Sequence, residues 1–599
     1  MAWQRALSSQ EILSILEEEK DLEDANQIDA VYIPPTVDNL TDEEDLDDDA
    51  LGDYENTVPT DIAGTYEIHT DLPAEPENTQ GEPGPSTSKK PRLPKKSPKY
   101  VPDWKKEHPI YTHFPTSDET AMTQNIEERV GGKTPFEVFS LFFSDEVWEQ
   151  IVGFSKKYAC DHNRHLFTLT VAELKRFFGI LLLTGYHSLP AAKLYWSKDE
   201  DKNVSIVRNC MSRNKFDSIK ENIHLCDNTD LHQNDKFAKL RPIFNIINQK
   251  NMQFGIFSHN LSIDEEMVPY FGRHGCKMFN KGKPVRFGFK LWCLCSSNGY
   301  LYQFIPYGGK NSNVTRNDLG LGENIVLDLL SVIEDPRKHR IFFDNFFSSH
   351  KLFCILKEKG YFATGTIREN RTMNKNLINT KSLQKKERGS FDYNFEQKYE
   401  VLLVRWNDNS VVNVATNNAK IEPLVTAKRY DRKIKKMVNV PQPQVIADYN
   451  KNMGGVDLHD NGIANYRIQV RGKKWWWPLF INLIDSVLVN SWKIYNLANE
   501  RSLSQLEFKS YVTVSLMKTE EAQLADNSHF LGNSNINVGR PSNNALPTNI
   551  RFDNIGHVIE EQESKRRRRC RQCRSTTIYM CKKCQVHLHA DCFKIFHSR

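Results

Sequence analysis

The sequence predicts a multidomain α/β protein, and three observations carry that prediction. Between residues 130 and 260 apolar side chains recur at helical spacing. After 260 the chain turns to short β-rich runs broken by helices. Five of the 12 cysteines fall in the last thirty residues, a pattern of metal ligation more than of disulfides. At 599 residues there is length for several cores. No apolar run approaches the roughly 20 residues of a membrane helix. The N-terminus lacks the apolar stretch and cleavage site of a signal peptide. No membrane partner is expected, and the location is cytosolic or nuclear.

The first segment, 1–105, is expected to be a disordered tail. Residues 1–87 hold 24 acidic and 2 basic residues, a net −22, so the rest carries +26. Such a separation points to a polyanionic partner, nucleic acid first. "SKKPRLPKKSPK" reads as a nuclear localisation signal. Residues 106–260 are helical: Thr134, Pro135 and Glu137 form a capping box, repeated at Thr170 and Glu173, and Phe216, Ile219 and Ile223 share one stripe. From 261 to 370 the pattern is α/β. "LSIDEEMVPYF" alternates, Asn298-Gly299 joins two apolar runs as a hairpin, "NIVLDLLSVI" is a helix, "HRIFFDNF" a strand, "SSHKLFCILKEKG" a helix ending at Gly360, and "YFATGTI" a strand. A β meander interrupts at 371–437. Helix returns at 438–465 and 466–525, a polar linker covers 526–563, and the cysteine cluster occupies 564–599.

Acids punctuate the α/β part. Asp264 and Asp344 follow apolar strand residues, and Asp457 and Asp460 lie three apart, on one helix face. An isolated strand-end aspartate most often caps a turn. Several carboxylates meeting at one point would repel and raise each other's pKa. Divalent cations reverse this: Mg²⁺ or Mn²⁺ bound by Asp264, Asp344, Asp457 and Asp460 suits phosphodiester chemistry.

"LSIDEEMVPYFGR", "KGKPVRFGFKLWCLCSSNGY", "IFFDNFFSS" and "YNKNMGGVDLHD" together resemble the piggyBac transposases, from about residue 105 onward. The resemblance implies an RNase H-like catalytic domain with a β-rich insertion and a catalytic triad at Asp264, Asp344 and Asp457, with Asp460 beside the third. It also implies a split all-α domain, here 106–260 and 466–525, for dimerisation and DNA binding. The implied activity is cut-and-paste transposition: nicking at the element end, hairpin formation, hairpin opening and joining to TTAA. Double-stranded DNA, as terminal repeats and TTAA target, a homodimer and a nuclear location follow.

Lys281, Lys283, Arg286 and Lys290 line the first hairpin, and Arg471, Lys473 and Lys474 precede Trp475, Trp476 and Trp477. Such clusters suit phosphate contacts, although at least two of the tryptophans are expected to pack in the core. In the tail, Cys570, Cys573, His589 and Cys592 are spaced for one Zn²⁺ and Cys581, Cys584 and His597 for a second, a cross-brace zinc finger. The eighth ligand stays open, with His587 and solvent as candidates.

Overall fold

The computed structural model describes residues 28–33, 65–70, 100–113, 119–232, 235–272, 274–280, 285, 287–309, 316, 318–374, 376–431, 435–519, 552, 557–561, 567–584 and 586–598. Most of the expected tail, the "SKKPRLPKKSPK" signal included, lies outside them. Within it two strands, Ile28–Ile33 and Thr65–Thr70, pair with each other, and the first also pairs with Met278–Asn280.

The chain forms two compact units: 1–144, 181–203 and 232–514; and 145–180, 204–231 and 515–599. The helical span expected at 106–260 is thus divided between them. Both capping boxes form. Glu137 N donates to Thr134 Oγ1 while Thr134 N donates to Glu137 Oε2, at the head of Pro135–Phe142. Thr170 and Glu173 do the same before Val171–Thr184. In the second unit Trp148 meets Phe178 edge-on at 4.8 Å and Phe177 meets Phe216 at 4.7 Å. The stripe of Phe216, Ile219 and Ile223 is buried.

A mixed sheet is the centre of the first unit. Its strands are β1 (Asn260–Pro269), β2 (Phe287–Ser296), β3 (Leu301–Pro306), β4 (Arg340–Phe343) and β5 (Phe362–Thr366). The order is β3-β2-β1-β4-β5, as an RNase H-like core requires. β1–β2 and β2–β3 are antiparallel, and β1–β4 and β4–β5 are parallel. Helix α1 (Leu321–Leu329) bridges β3 to β4, and α2 (His350–Glu358) bridges β4 to β5. Both crossovers are helical because parallel strands cannot be joined by a tight turn. The β2–β3 turn needs Gly299, whose φ is +86°.

The meander predicted as an insertion extends this sheet. Strands β6 (Phe391–Glu396), β7 (Val401–Asn407) and β8 (Val411–Thr416) run antiparallel, and β8 pairs with β5. β5 is thereby covered where it would otherwise be an open edge. A ribbon of β9 (Val425–Asp431) and β10 (Lys436–Gln442) follows, ending five residues past the expected limit. Helices α3 (Gln444–Asn452), α4 (Gly455–Asn465) and α5 (Trp477–Ala498) complete the unit. α5 is buried along most of its length. Its Asn490 bonds both Leu301 N and Leu301 O, which pins the helix to β3.

Candidate active site and metal centres

Register brings the first two acids together. Ile263 lies opposite Phe343 in the parallel pair β1–β4. Asp264 and Asp344 are the next residues, so they sit side by side where β4 ends. Asp264 is buried, and its Oδ1 accepts from Glu265 N at 2.8 Å. Asp344 Oδ1 accepts from Phe346 N at 2.9 Å, so it caps the turn as well as facing the site. Two arginines hold that turn. Arg371 Nη1 donates to Phe346 O at 3.0 Å, and Arg368 Nη2 donates to Asn345 Oδ1 at 3.0 Å.

A glycine brings in α4. A Cβ on Gly455 would lie 2.3 Å from Ser296 O, so only glycine lets the helix start against the sheet. Ser262 Oγ donates to Met453 O just before it. Asp457 is exposed in the first turn of α4, where the helix dipole favours an anion. Half-buried Tyr449, on α3, registers all three acids. Burial pushes its phenol well up, and the charges of Asp344, Asp264 and Asp457 push it further, against a bond from Thr366. It stays a neutral donor beside them.

Asp460, one turn beyond Asp457, stands with other partners. It lies 3.7 Å from Arg467. It also acts on the buried Glu266, whose carboxyl is pushed up to about 7, first by burial and then by Asp460. Asn482 Nδ2 donates to Glu266 Oε1 at 2.6 Å. β1 and α4 therefore set two rows of acid: Asp264 with Asp457, and Glu266 with Asp460. The three triad positions offer hard oxygen ligands of the kind Mg²⁺ prefers. They are set more loosely than the tail ligands: among the described residues, no three acids bring ligand atoms within 4.8 Å of one another. Sequence reasoning missed Tyr449, Arg368, Arg371 and Glu266, because nothing local marks a side chain that meets the acids only in space.

The basic residues divide. Lys281, Lys283 and Arg286 lie outside the described residues. Lys290, expected on a DNA face, is instead 1% exposed, its ammonium 5.1 Å from the Trp292 ring and 5.9 Å from that of Phe346. Lys474 is likewise buried, 5.4 Å from the Trp476 ring. Lys290 lies on a strand buried on both faces and Lys474 in the bend before α5, and aromatic faces offset the desolvation of each cation. Arg471 is half-buried and Lys473 exposed. All three tryptophans are core: Trp475 stacks on His274 at 4.1 Å, and Trp477 Nε1 donates to Val470 O.

The tail builds two quartets. Cys570, Cys573, His589 and Cys592 form one, and His557, Cys581, Cys584 and His597 the other; within each, all ligand atoms lie within 4.8 Å of one another. Along the chain the quartets interleave, which is the cross-brace arrangement. His557 fills the place for which His587 was a candidate. His587 pairs in a strand opposite Met580 and belongs to neither group. His557 stands in the span read as linker, with no cysteine beside it to mark it. The donors suit zinc. Burial raises the Cys570 thiol, but N–H groups of Cys573, His589 and Gln572 and the His589 ring outweigh it and bring it to about 6. His589 Nε2 lies 3.2 Å from Thr576 O, leaving Nδ1 toward the sulfurs.

Comparison with known proteins finds relatives and a matching fold over most of the chain. A family model described as "Transposase IS4" matches residues 134–492. The human piggyBac transposable element-derived protein 3 is 40% identical over 468 residues, 78% of this chain and 76% of that protein. The human piggyBac transposable element-derived protein 2 is 34% identical over 484 residues, 80% of this chain and 79% of that one. The cryo-EM structure of the piggyBac transposase synaptic complex with hairpin DNA matches in fold, with a TM-score of 0.55 at 21% identity, over 78% of this chain and 98% of that one. With its sheet order and its match across most of these relatives, the chain belongs to the piggyBac-type transposase family.

Proposed function

We propose that the protein is a DNA transposase of cut-and-paste type. The observation that carries this reading is Asp264 set beside Asp344 by strand register, with Asp457 in the first turn of α4 and the charges of all three acting on Tyr449. These three residues would hold Mg²⁺ or Mn²⁺, which supplies Lewis acidity at a scissile phosphate. The chain supplies the rest. Paired strands set Asp264 beside Asp344, and Arg368 and Arg371 hold the turn that follows Asp344. The Tyr449 hydroxyl is placed to donate to a phosphate oxygen. Asp460, in the middle of α4, lies beside Arg467 and its charge helps to keep buried Glu266 protonated.

In this reading one strand is hydrolysed at a terminal repeat, and the freed 3′-OH attacks the opposite strand to leave a hairpin. A second hydrolysis opens it, and the 3′-OH joins target DNA at TTAA. The interleaved quartets, Cys570, Cys573, His589 and Cys592 with His557, Cys581, Cys584 and His597, would hold two Zn²⁺ ions that stabilise the tail for DNA contact. A nuclear homodimer, with helices from 106–260 and 466–525 at the dimer and DNA contacts, completes the proposal. The printed names of the human relatives, "transposable element-derived", favour a second reading: a domesticated DNA-binding or chromatin regulator without strand cleavage. Purified protein incubated with Mg²⁺ and a piggyBac-like element end separates the two. Hairpin-ended fragments are expected; binding with no cleaved strand would overturn the enzymatic reading in favour of the regulator.

A further inference from the structure

The ribbon of β9 and β10 has one face sealed and one face open. On the inner side Ala427 and Val440, directly opposite each other, are buried, and Val440 joins the apolar cluster of Trp406, Val445 and Ile446. Arg429 Nε donates to Asp408 Oδ2 at 2.9 Å, and Trp406 Nε1 donates to Pro441 O at 2.9 Å. The ribbon is therefore anchored. Its outer side pairs Lys428 with Asn439 and Tyr430 with Met437. All four are exposed, Tyr430 by 54% and Met437 by 61%. Lys435 and Lys436 stand exposed at the tip. A solvated basic run alone would explain the lysines. It does not explain a tyrosine and a methionine set face to face among them, gaining none of the burial their inner neighbours gain.

We propose that this outer face and the ribbon's tip dock on duplex DNA, with Lys428 on the face and Lys435 and Lys436 at the tip, Lys436 opposite Asp431, on phosphates and the Tyr430–Met437 pair against the bases. A two-stranded ribbon fits the major groove, whose width is about 12 Å. Apolar side chains that reach base edges there contact the thymine methyl, with cations holding the backbone. β10 runs directly into α3, which carries Tyr449, so DNA held on the ribbon lies in sequence next to the candidate site. The proposal rests on the reading of the chain as a DNA-acting protein, without requiring that it cleave.

The test titrates full-length protein against a fluorescent random-sequence duplex over a range of salt, with heparin as a polyanion lacking bases. Circular dichroism establishes that the variants fold. The triple variant K428Q/K435Q/K436Q is expected to lose about tenfold or more in affinity, and its salt slope to fall by roughly one per lysine. Y430A/M437A is expected to weaken DNA binding several-fold with an unchanged slope, and to leave heparin binding as it was. Wild-type affinity and slope in the triple variant would overturn the proposal, and so would equal losses toward DNA and heparin in the double variant. Strand cleavage by the wild type is followed in parallel. Cleavage with unaffected ribbon variants sinks the ribbon alone; ribbon-dependent binding without cleavage sinks the catalytic reading alone.

Discussion

Asp264 and Cys581 are both buried side chains with ligand chemistry, but their surroundings differ. Around Asp264 stand Ile263, Leu294 and Phe343, fully buried strand residues whose packing owes nothing to a metal. Around Cys581 the core is Cys570, Cys584, Leu588 and Phe596, in which the ligands themselves are most of what is buried. In the sheet, the fold holds the ligands. In the tail, the ligands hold the fold, because so short a stretch cannot bury enough apolar surface to offset its chain entropy. The carboxylates can then be set loosely and stay open to substrate, whereas the sulfurs and imidazoles are drawn tight.

The largest effect that would break this contrast is metal removal. Chelation, or Cys581→Ser, should unfold residues 557–598, with an apparent loss of about 10 kcal/mol or more of metal-linked folding energy. Amide hydrogen exchange should show protection lost in the tail and kept in β1, β2 and β4; loss in both would erase the distinction. Next comes Asp344→Asn. It should lower strand cleavage by about 10⁴-fold or more, as removal of one member of a catalytic unit does, while DNA binding and melting temperature hold. A melting temperature that collapses would mean the acid serves the fold.

Trp476→Ala probes the sheet unit's own core. The ring is 1% exposed, and its loss should cost about 3–5 kcal/mol in urea unfolding. The same experiment with and without chelator should give the same cost. His274 supplies a pH test away from every ligand. Burial, and then the charge of Lys236, push it down to about 3, so the folded protein keeps it neutral. Unfolded histidine titrates near 6.5, so stability should hold above about pH 6.5 and decline below it by up to about 1.4 kcal/mol per pH unit. His274→Gln should flatten that decline in acid-unfolding curves. The smallest effect belongs to exposed Lys473: its change to Ala should alter stability by less than about 0.5 kcal/mol.

What the amino-acid order determined alone was local. Thr134 with Glu137, and Thr170 with Glu173, cap helices because three residues separate a helix's first orphan N–H groups from their partners. Asn298-Gly299 turns a hairpin because glycine accepts a positive φ, and cysteines three apart enter the same ligand quartet by spacing alone. Register, burial and long-range meeting were decided only by the tertiary structure. His557 joins cysteines at 581 and 584, Tyr449 comes under the charge of acids from three segments, the meander closes onto β5, and Lys290 turns inward. Each depends on which distant segments pack together, and the period of a helix or strand says which face is apolar without saying what will lie against it.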